Sequence, residues 1–277
     1  MKVIGAFTAW GCQDFATKAL LNHLKICDVI YINVSAHSPR MERFADKTLS
    51  DVRNLASKMP DRLKMVRNQE QASNPDITKC RILNEILNYA DPGDVLMLCD
   101  ADEFYSEDSV EELMLEFAKD DWDMLRVFDR FFCINLWHYV NSSHGRFWRI
   151  SARSKFYPTQ NMSPSAENIK TVLADAPMFH YSLLTNLAMR REFWRSEERY
   201  MQVDWLNKIY QKWPYPFKMD KIKKLAELNY QITGNRGFWF NAGVDELSSA
   251  PYLKTFDGQH PKEIQESDLV FREDFRV

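Results

Sequence analysis

Glycine is scarce in this sequence, and its scarcity excludes several classes of phosphate-handling protein. Only eight glycines are present, and none forms a glycine-rich loop after the first apolar run. The usual dinucleotide and P-loop fingerprints need such loops, because the backbone must approach the phosphates closely. The chain also lacks the Gly-x-Ser-x-Gly elbow of a serine hydrolase. Its first apolar run carries no aspartate, unlike that of a phosphatase with a nucleophilic aspartate.

Long apolar runs and paired cysteine motifs are also missing. No run approaches the roughly 18 apolar residues that span a bilayer. The start of the chain, residues 3–7, is too short and too poorly flanked for a signal peptide. The five cysteines are odd in number, and no pair has the close spacing of a zinc site. We therefore expect no membrane span, a reducing compartment and a cytoplasmic location.

Neither sign of charge dominates, because the formal net charge is only −3. The distribution is uneven, however. Residues 126–224 hold 17 Lys or Arg against 8 Asp or Glu, so this segment carries +9 and the remainder −12. A basic segment on an acidic protein predicts an anionic ligand on that half of the chain. A solvated surface of mixed charge is the alternative interpretation.

Short apolar runs alternate with helical patterns over the first 120 residues. Asp14 and Asp76 are expected to cap two of the helices. This alternation predicts an α/β fold with a mainly parallel, doubly wound sheet. Ligands bind such sheets beyond the carboxyl ends of the strands. The predicted strands cover residues 3–7, 29–32, 63–66 and 95–99.

The strongest signal directly follows the fourth predicted strand, where the sequence reads Asp100-Ala101-Asp102-Glu103. On an extended chain Asp100 and Asp102 point the same way, with Ala101 opposite. Two carboxylates at the end of a buried strand stay ionised only with a cation or strong donors nearby. Their oxygens suit Mg²⁺ or Mn²⁺, which can bridge a diphosphate as it leaves. The simpler interpretation is that Asp102 and Glu103 start a loop, with a serine capping the next helix.

Two stretches resemble the Asp-x-Asp core of glycosyltransferases with the GT-A fold, closest to the family-two-like branch. They are residues 81–84 (RILN) and residues 90–104 (ADPGDVLMLCDADEF). The usual form in that branch is a helix with Arg and Asn, a Gly-Asp, an apolar strand and then Asp-Ala-Asp-Glu. The resemblance is good over residues 1–105, and it continues in patches at residues 178–182 (MFHYS) and 256–261 (FDGQHP).

The resemblance implies a GT-A fold, which is a Rossmann-like nucleotide-diphospho-sugar transferase fold with helices flanking the sheet and a helical C-terminal part. Residues 1–125 would bind the nucleotide sugar, and residues 126–277 would bind the acceptor, within one continuous domain. Relatives usually show Asn-Glu after the first strand and an acid after the second. Residues 11–14 (GCQD) and 33–35 (NVS) stand there instead, which leaves the base and sugar of the donor open. A UDP-sugar is the expected donor.

Individual roles also follow from the resemblance. Asp102 would ligate Mn²⁺ or Mg²⁺, Asp100 would contact the metal or the ribose, and His180 would be the third protein ligand. His260 is the rival ligand or a phosphate contact. His180 as a buried histidine bonded to a backbone carbonyl is the alternative. The expected donor-binding residues are Thr8, Ala9, Trp10, Asn33, Ser35, Arg81, Asp100, Ala101 and Asp102, with Arg81 one turn into a helix and within reach of a phosphate.

A basic run interleaved with aromatics follows the donor half. One or two of its members are expected to grip the leaving diphosphate or an anionic acceptor. Solvated charges on a strand are the alternative for each of them. The candidates are Arg146, Trp148, Arg149 and Lys155.

The catalytic base is open, because the sequence does not settle the stereochemistry. An inverting enzyme needs a carboxylate to deprotonate the acceptor hydroxyl, whereas a retaining enzyme needs none. The candidates are Glu167 and Asp204, with Asp175 as a further alternative.

Three functions compete at this level. The first is transfer to a large anionic acceptor such as hydroxymethylated bases in DNA, which viral relatives of this general kind glycosylate. A base in duplex would have to be flipped out, which calls for aromatics and phosphate-gripping arginines. The second is transfer to a cell-surface or lipopolysaccharide glycan. The third is a non-catalytic protein that binds glycan or nucleic acid.

Overall fold

The computed structural model describes residues 1–72, 74–119, 121–136, 138–157, 169–181 and 253–268. The chain divides into two compact units. The first comprises Met1–Asp129, Ser143–His180 and His260–Ser267, and the second comprises Arg130–Ser142, Tyr181–Gln259 and Asp268–Val277. Among the described residues, no helix has both the length and the apolar character that a membrane crossing requires.

Strands and helices alternate up to residue 119 as the sequence predicts, except that the short strand Glu103–Tyr105 follows the strand Val95–Asp100 without a helix between them. A short 3₁₀ helix, Pro39–Phe44, lies between the strand Val29–Val34 and the helix Thr48–Lys58. The strands are β1 (Val3–Ala9), β2 (Val29–Val34), β3 (Leu63–Met65), β4 (Val95–Asp100), β5 (Glu103–Tyr105), β6 (Met124–Asn135), β7 (His138–Arg149), β8 (Thr171–His180) and β9 (Leu253–Thr255). The helices are α1 (Ala16–His23), α2 (Thr48–Lys58), α3 (Pro75–Leu87), α4 (Glu107–Lys119) and α5 (Lys262–Gln265).

The sheet is parallel in its first half and antiparallel in its second. Its strand order is β3-β2-β1-β4-β7-β6-β8-β5. The pairs β3–β2, β2–β1 and β1–β4 are parallel, whereas β4–β7 and β5–β8 are antiparallel. The predicted α/β class with a Rossmann-like sheet is therefore confirmed. The sheet is mixed rather than mainly parallel, because the sequence after residue 121 adds antiparallel strands.

Helices cover both faces of the parallel half. Ile4 and Leu96 pack with Ile82 and other residues of α3 in one buried cluster. Phe7 points the other way and meets the ring of His23 on α1, because side chains alternate along a strand. Gly5 lies on this second face, where a Cβ atom would come within 2.9 Å of Ile30 Cγ1. A side chain at position 5 would therefore push β1 and β2 apart.

Two predicted helix caps are wrong by one or two residues. Phe15, not Asp14, occupies the N-cap of α1, and its side chain makes no capping hydrogen bond. Asn74, not Asp76, caps α3, since its Oδ1 accepts from the backbone N–H of Asp76 at 2.8 Å. Pro75 then opens the helix, and a proline suits that position because its missing N–H would have no partner inside the helix.

The second unit holds an aromatic cluster. Phe132 stacks on Tyr181 with ring centroids 5.3 Å apart and meets Phe256 edge-on at 5.4 Å. The guanidinium of Arg130 lies 5.5 Å from the centre of the Phe256 ring. Phe132, Tyr181 and Phe256 are buried, so this cluster forms core. The expected helical C-terminal part falls mostly on residues 182–252, which lie outside the described residues.

Candidate functional site

Three polar residues reach the carboxyl edge of the parallel sheet at the same level. Thr8 on β1 pairs in register with Asn33 on β2 and, on its other side, with Asp100 on β4. Each of the three strands ends at this level or one residue beyond it. Helix–strand connections leave such an edge open to ligands in α/β sheets. The first strand's end, the second strand's end and the acidic motif therefore meet, as the sequence predicts.

Asp100 is the last residue of β4, and two cationic side chains lie beside its carboxylate. Its Oδ1 accepts a hydrogen bond from Lys79 Nζ at 2.8 Å, and its Oδ2 lies 3.7 Å from Arg146 Nη2. Lys79 comes from α3, where its side chain is only 7% exposed. Arg146 comes from β7 and also donates to Glu103 Oε1. Asp100 and Glu103 are thus bridged by Arg146, and Lys79 neutralises Asp100 from the helix side.

Glu103 is fully buried at the start of β5. Burial raises the pKa of its carboxyl to about 8, although the Arg146 guanidinium opposes that shift. The pKa of Arg146 is raised in turn: burial lowers it, but the charges of Glu103 and Asp100 outweigh burial. The Glu103 carbonyl accepts a hydrogen bond from His23 Nε2 at 2.9 Å, which ties this segment to α1.

A turn at residues 101–102 separates the two aspartates of the motif. The strand β4 ends at Asp100, and β5 begins at Glu103 beside a different strand, β8. The alternation expected for an extended chain therefore does not hold across the motif. Asp102 is buried and faces His180, with 3.8 Å between Asp102 Oδ1 and His180 Nε2. His180 arrives there because it pairs with Glu103 at the end of β8.

A second buried carboxylate, Asp129 on β6, contacts two histidines. Its Oδ2 lies 3.4 Å from His180 Nδ1 and 3.2 Å from His144 Nε2. Burial would raise the pKa of Asp129, but His180, His144 and Arg146 together hold it below its ordinary value. Burial likewise would lower the pKa of His180, but Asp129 and Asp102 raise it to about 10. Burial and Arg146 lower the pKa of His144 to about 4.

The Asp102–His180 pair fits a divalent cation as part of a site that a ligand completes. Among the described residues, no group of three or more His, Cys, Asp or Glu side chains is arranged as a metal site by itself. Two protein ligands with phosphate oxygens and water are, however, a common way to bind Mg²⁺. The contact of His180 Nδ1 with Asp129 also matches the carboxylate–histidine support that metal-binding imidazoles usually have.

The residues expected to hold the nucleotide line the ends of β1 and β2. Thr8, Asn33 and Ser35 are buried, and Ser35 Oγ donates to Asn33 Oδ1 at 2.6 Å. Trp10 is half-buried, and its Nε1 donates to the Met41 carbonyl at 2.6 Å. Ala9 pairs with Val34 at the strand ends, and Ala101 is buried in the turn of the motif.

Arg81 is engaged in a different place. Its Nη1 donates to the backbone carbonyl of Glu70 at 2.9 Å, on an exposed surface of α3. Lys79, two residues earlier, is the cation of this helix that reaches the acidic motif.

The basic run does not form one surface. Arg146 reaches the site, but Trp148 is a core residue that packs with Phe156. Arg149 pairs with Val95 at the opposite end of β4, where its guanidinium covers the Trp122 ring at 4.8 Å. Lys155 lies over the ring of Tyr157 at 5.6 Å.

The structure describes one of the three candidates for the base. Glu167 and Asp204 lie outside the described residues, and Asp175 is exposed on β8. His260, the rival ligand, meets Phe179 edge-on with ring centroids 6.1 Å apart.

Sequence reasoning missed Lys79, Asp129 and His144. Two of them carried a usable signal. Lys79 shares the apolar face of α3 with Ile82, Leu83 and Ile86, and a lysine on such a face needs a partner. Asp129 continues the buried alternation of Leu125 and Val127 on β6, where a carboxylate is equally out of place. A buried ionisable residue on an apolar face therefore indicates a site.

No protein-family model matches this chain, and no curated protein matches it. Among solved structures, S. aureus TarS 1–349 in complex with UDP is 14% identical, with a TM-score of 0.43 over 89% of this chain and 77% of that one. The same TarS segment in another crystal structure is 12% identical, with a TM-score of 0.41 over 84% and 81%. The inositol-1-phosphate CTP transferase from T. maritima is 7% identical, with a TM-score of 0.37 over 72% and 96%. These scores are low, so function is inferred below from the chain's own residues.

Proposed function

We propose that this chain is a metal-dependent glycosyltransferase that takes its sugar from a nucleotide diphosphate sugar, with a UDP-sugar as the expected donor. One observation carries the proposal. Asp102 and His180 face each other two residues beyond the carboxyl end of β4, the strand that pairs with β1, which in turn pairs with β2. A nucleotide bound at the ends of β1 and β2 would place its diphosphate beside this pair.

The residues divide into three tasks in this mechanism. Asp102 and His180 would hold Mn²⁺ or Mg²⁺, which when bound stabilises the negative charge that develops on the leaving diphosphate. Asp100 already carries Lys79 and Arg146, so it is better placed to contact the ribose than to serve as a second carboxylate ligand. Thr8, Asn33 and Ser35 would hold the nucleoside.

The direct test is a thermal-shift screen of nucleotide sugars, each with Mn²⁺ and with chelator. A ligand that binds only the folded state raises the melting temperature. We expect a UDP-sugar to stabilise the chain in Mn²⁺ and to lose most of that effect in chelator. No metal-dependent shift with any nucleotide sugar would contradict the proposal. Release of nucleoside diphosphate then separates an enzyme from a non-catalytic binding protein.

For the acceptor we propose an anionic polymer such as DNA with hydroxymethylated bases. The support is the net charge of +9 over residues 126–224. Trp148 and Arg149 do not contribute, since one is core and the other lies at the far end of β4. Arg146 is likewise engaged by Asp100 and Glu103.

Salt dependence tests this choice. Binding to DNA should weaken steeply as salt rises, because Lys and Arg contacts release counterions. Transfer to a neutral cell-surface or lipopolysaccharide glycan should change little over the same range. Transfer to hydroxymethylated DNA that is insensitive to salt would argue against the polyanion.

A further inference from the structure

One buried carboxylate oxygen contacts two imidazoles in this structure. Asp129 Oδ2 lies 3.4 Å from His180 Nδ1 and 3.2 Å from His144 Nε2, and the Asp129 side chain is only 3% exposed. Burying a carboxylate costs free energy unless partners compensate its charge, so Asp129 depends on these two histidines in a way that an exposed residue would not. Nothing in the proposed donor or acceptor contacts uses Asp129.

The direction of the His180 ring gives Asp129 a task. The Nδ1 atom faces Asp129, and the Nε2 atom faces Asp102 Oδ1 at 3.8 Å. A neutral imidazole carries its proton on one nitrogen and a lone pair on the other. With a metal bound, a carboxylate beside Nδ1 would keep the ring proton on that nitrogen, and the lone pair of Nε2 would be free for the ion that His180 and Asp102 share.

We infer that Asp129 is the positioning residue of the metal site, which orients His180 so that its Nε2 can bind the ion together with Asp102. The inference rests on the proposed function, because it takes His180 as a ligand. His144 contacts the same oxygen of Asp129 from a ring that is 44% exposed. Removing His144 still leaves His180 its carboxylate.

The test is Mn²⁺ titration of the full chain by calorimetry, with and without UDP, in wild type and Asp129→Asn. Losing such a support typically costs roughly 10–100-fold in metal affinity, and we expect a loss in that range. Asp123→Asn is the matched control, because Asp123 immediately precedes β6. Among the described residues, its carboxylate accepts a hydrogen bond only from the backbone N–H of Lys170, at 2.9 Å. The control should bind Mn²⁺ as the wild type does. Equal affinity in Asp129→Asn and wild type would overturn the inference.

A second measurement on the wild type needs no variant to fold. In ¹⁵N-histidine-labelled protein with Zn²⁺ and UDP, the His180 ring should carry its proton on Nδ1 and the metal on Nε2. A proton on Nε2 would overturn the inference even if Asp129→Asn were unstable. If the wild type binds no Mn²⁺ with or without UDP, both the metal site of the proposed function and this inference are wrong. If the wild type binds Mn²⁺ and Asp129→Asn binds it equally well, only this inference is wrong.

Discussion

Asp100 and Asp102 are two residues apart, yet their surroundings differ in kind. Asp100 faces two permanent cations, Lys79 at 2.8 Å and Arg146 at 3.7 Å. Asp102 faces His180, whose charge depends on its proton and which in the proposed function would exchange that proton for a metal. Two permanent cations of the protein compensate Asp100, and these three residues are called the compensated side. Asp102 and His180 are called the exchangeable side, because the proposed metal ion would take the place of the His180 proton there.

Asp102→Asn should break the exchangeable side and have the largest effect. The amide oxygen keeps the size of the side chain but removes the charge that attracts a divalent ion. We expect Mn²⁺-dependent stabilisation by UDP-sugar to disappear and transfer to fall by about 10²–10³-fold, as for the loss of one transition-state charge contact. Thermal shift and release of UDP measure these effects. Donor affinity that is the same with and without chelator in both proteins would contradict the assignment.

His180→Ala should weaken the same side to a lesser degree. Removing an imidazole ligand leaves Asp102 and the donor phosphates, so we expect Mn²⁺ affinity to fall by at least about 10-fold, the lower end of losses seen even for supporting residues. Calorimetric titration measures the affinity, and thermal unfolding in chelator measures the fold. A large loss of stability in chelator with unchanged Mn²⁺ affinity would instead make His180 a core histidine.

The elements of the fold were predictable because their local signals are strong. The unbroken apolar run at residues 95–99 favoured a covered strand, and β4 occupies it. The first residues of helices were less predictable. Asn74 and Asp76 are both residue types that favour the N-cap, and only the extended backbone at Asn74 identifies it as the cap.

The placement of the candidate residues was predictable where a motif carried them. Asp102 and His180 come together as expected. Asp129 and His144 do not follow from the sequence in the same way, since they meet His180 only through the arrangement of β6, β7 and β8. The turn after Asp100 sends the two aspartates to different partners, and it agrees in part with the alternative interpretation that a loop starts at Asp102.

Lys79→Met should disturb the compensated side and leave the exchangeable side intact. The methionine fits the apolar face of α3 but leaves Asp100 without its shorter cation contact. A hydrogen bond between charged groups contributes about 1.5–3 kcal/mol, and Asp100 is 23% exposed, so we expect a loss of about 2 kcal/mol in unfolding free energy. Urea unfolding measures the loss.

The double variant Lys79→Met with Asp100→Asn is the control for that change. It removes the unpaired charge together with its partner, so it should recover part of the stability. Mn²⁺ affinity should stay at the wild-type level in Lys79→Met. A loss of Mn²⁺ affinity as large as that of His180→Ala would show that the two sides are one site.

The smallest expected effect is at His23, a histidine that, unlike His180, has only a structural role. His23 Nε2 donates a hydrogen bond to the carbonyl of Glu103, which lies one residue after Asp102. Burial lowers the pKa of His23 from 6.5 to about 4. The folded state therefore favours neutral His23, so its contribution is complete above the unfolded pKa and is lost as pH falls towards the folded value. Between roughly pH 7 and 5.5 this loss amounts to about 1 kcal/mol. His23→Gln keeps a donor for the Glu103 carbonyl but cannot titrate, so its unfolding free energy should fall less over that interval. His37→Gln, at a half-buried histidine, is the control and should show the same fall in unfolding free energy with pH as the wild type. An equal fall in His23→Gln would assign this pH dependence to groups other than His23.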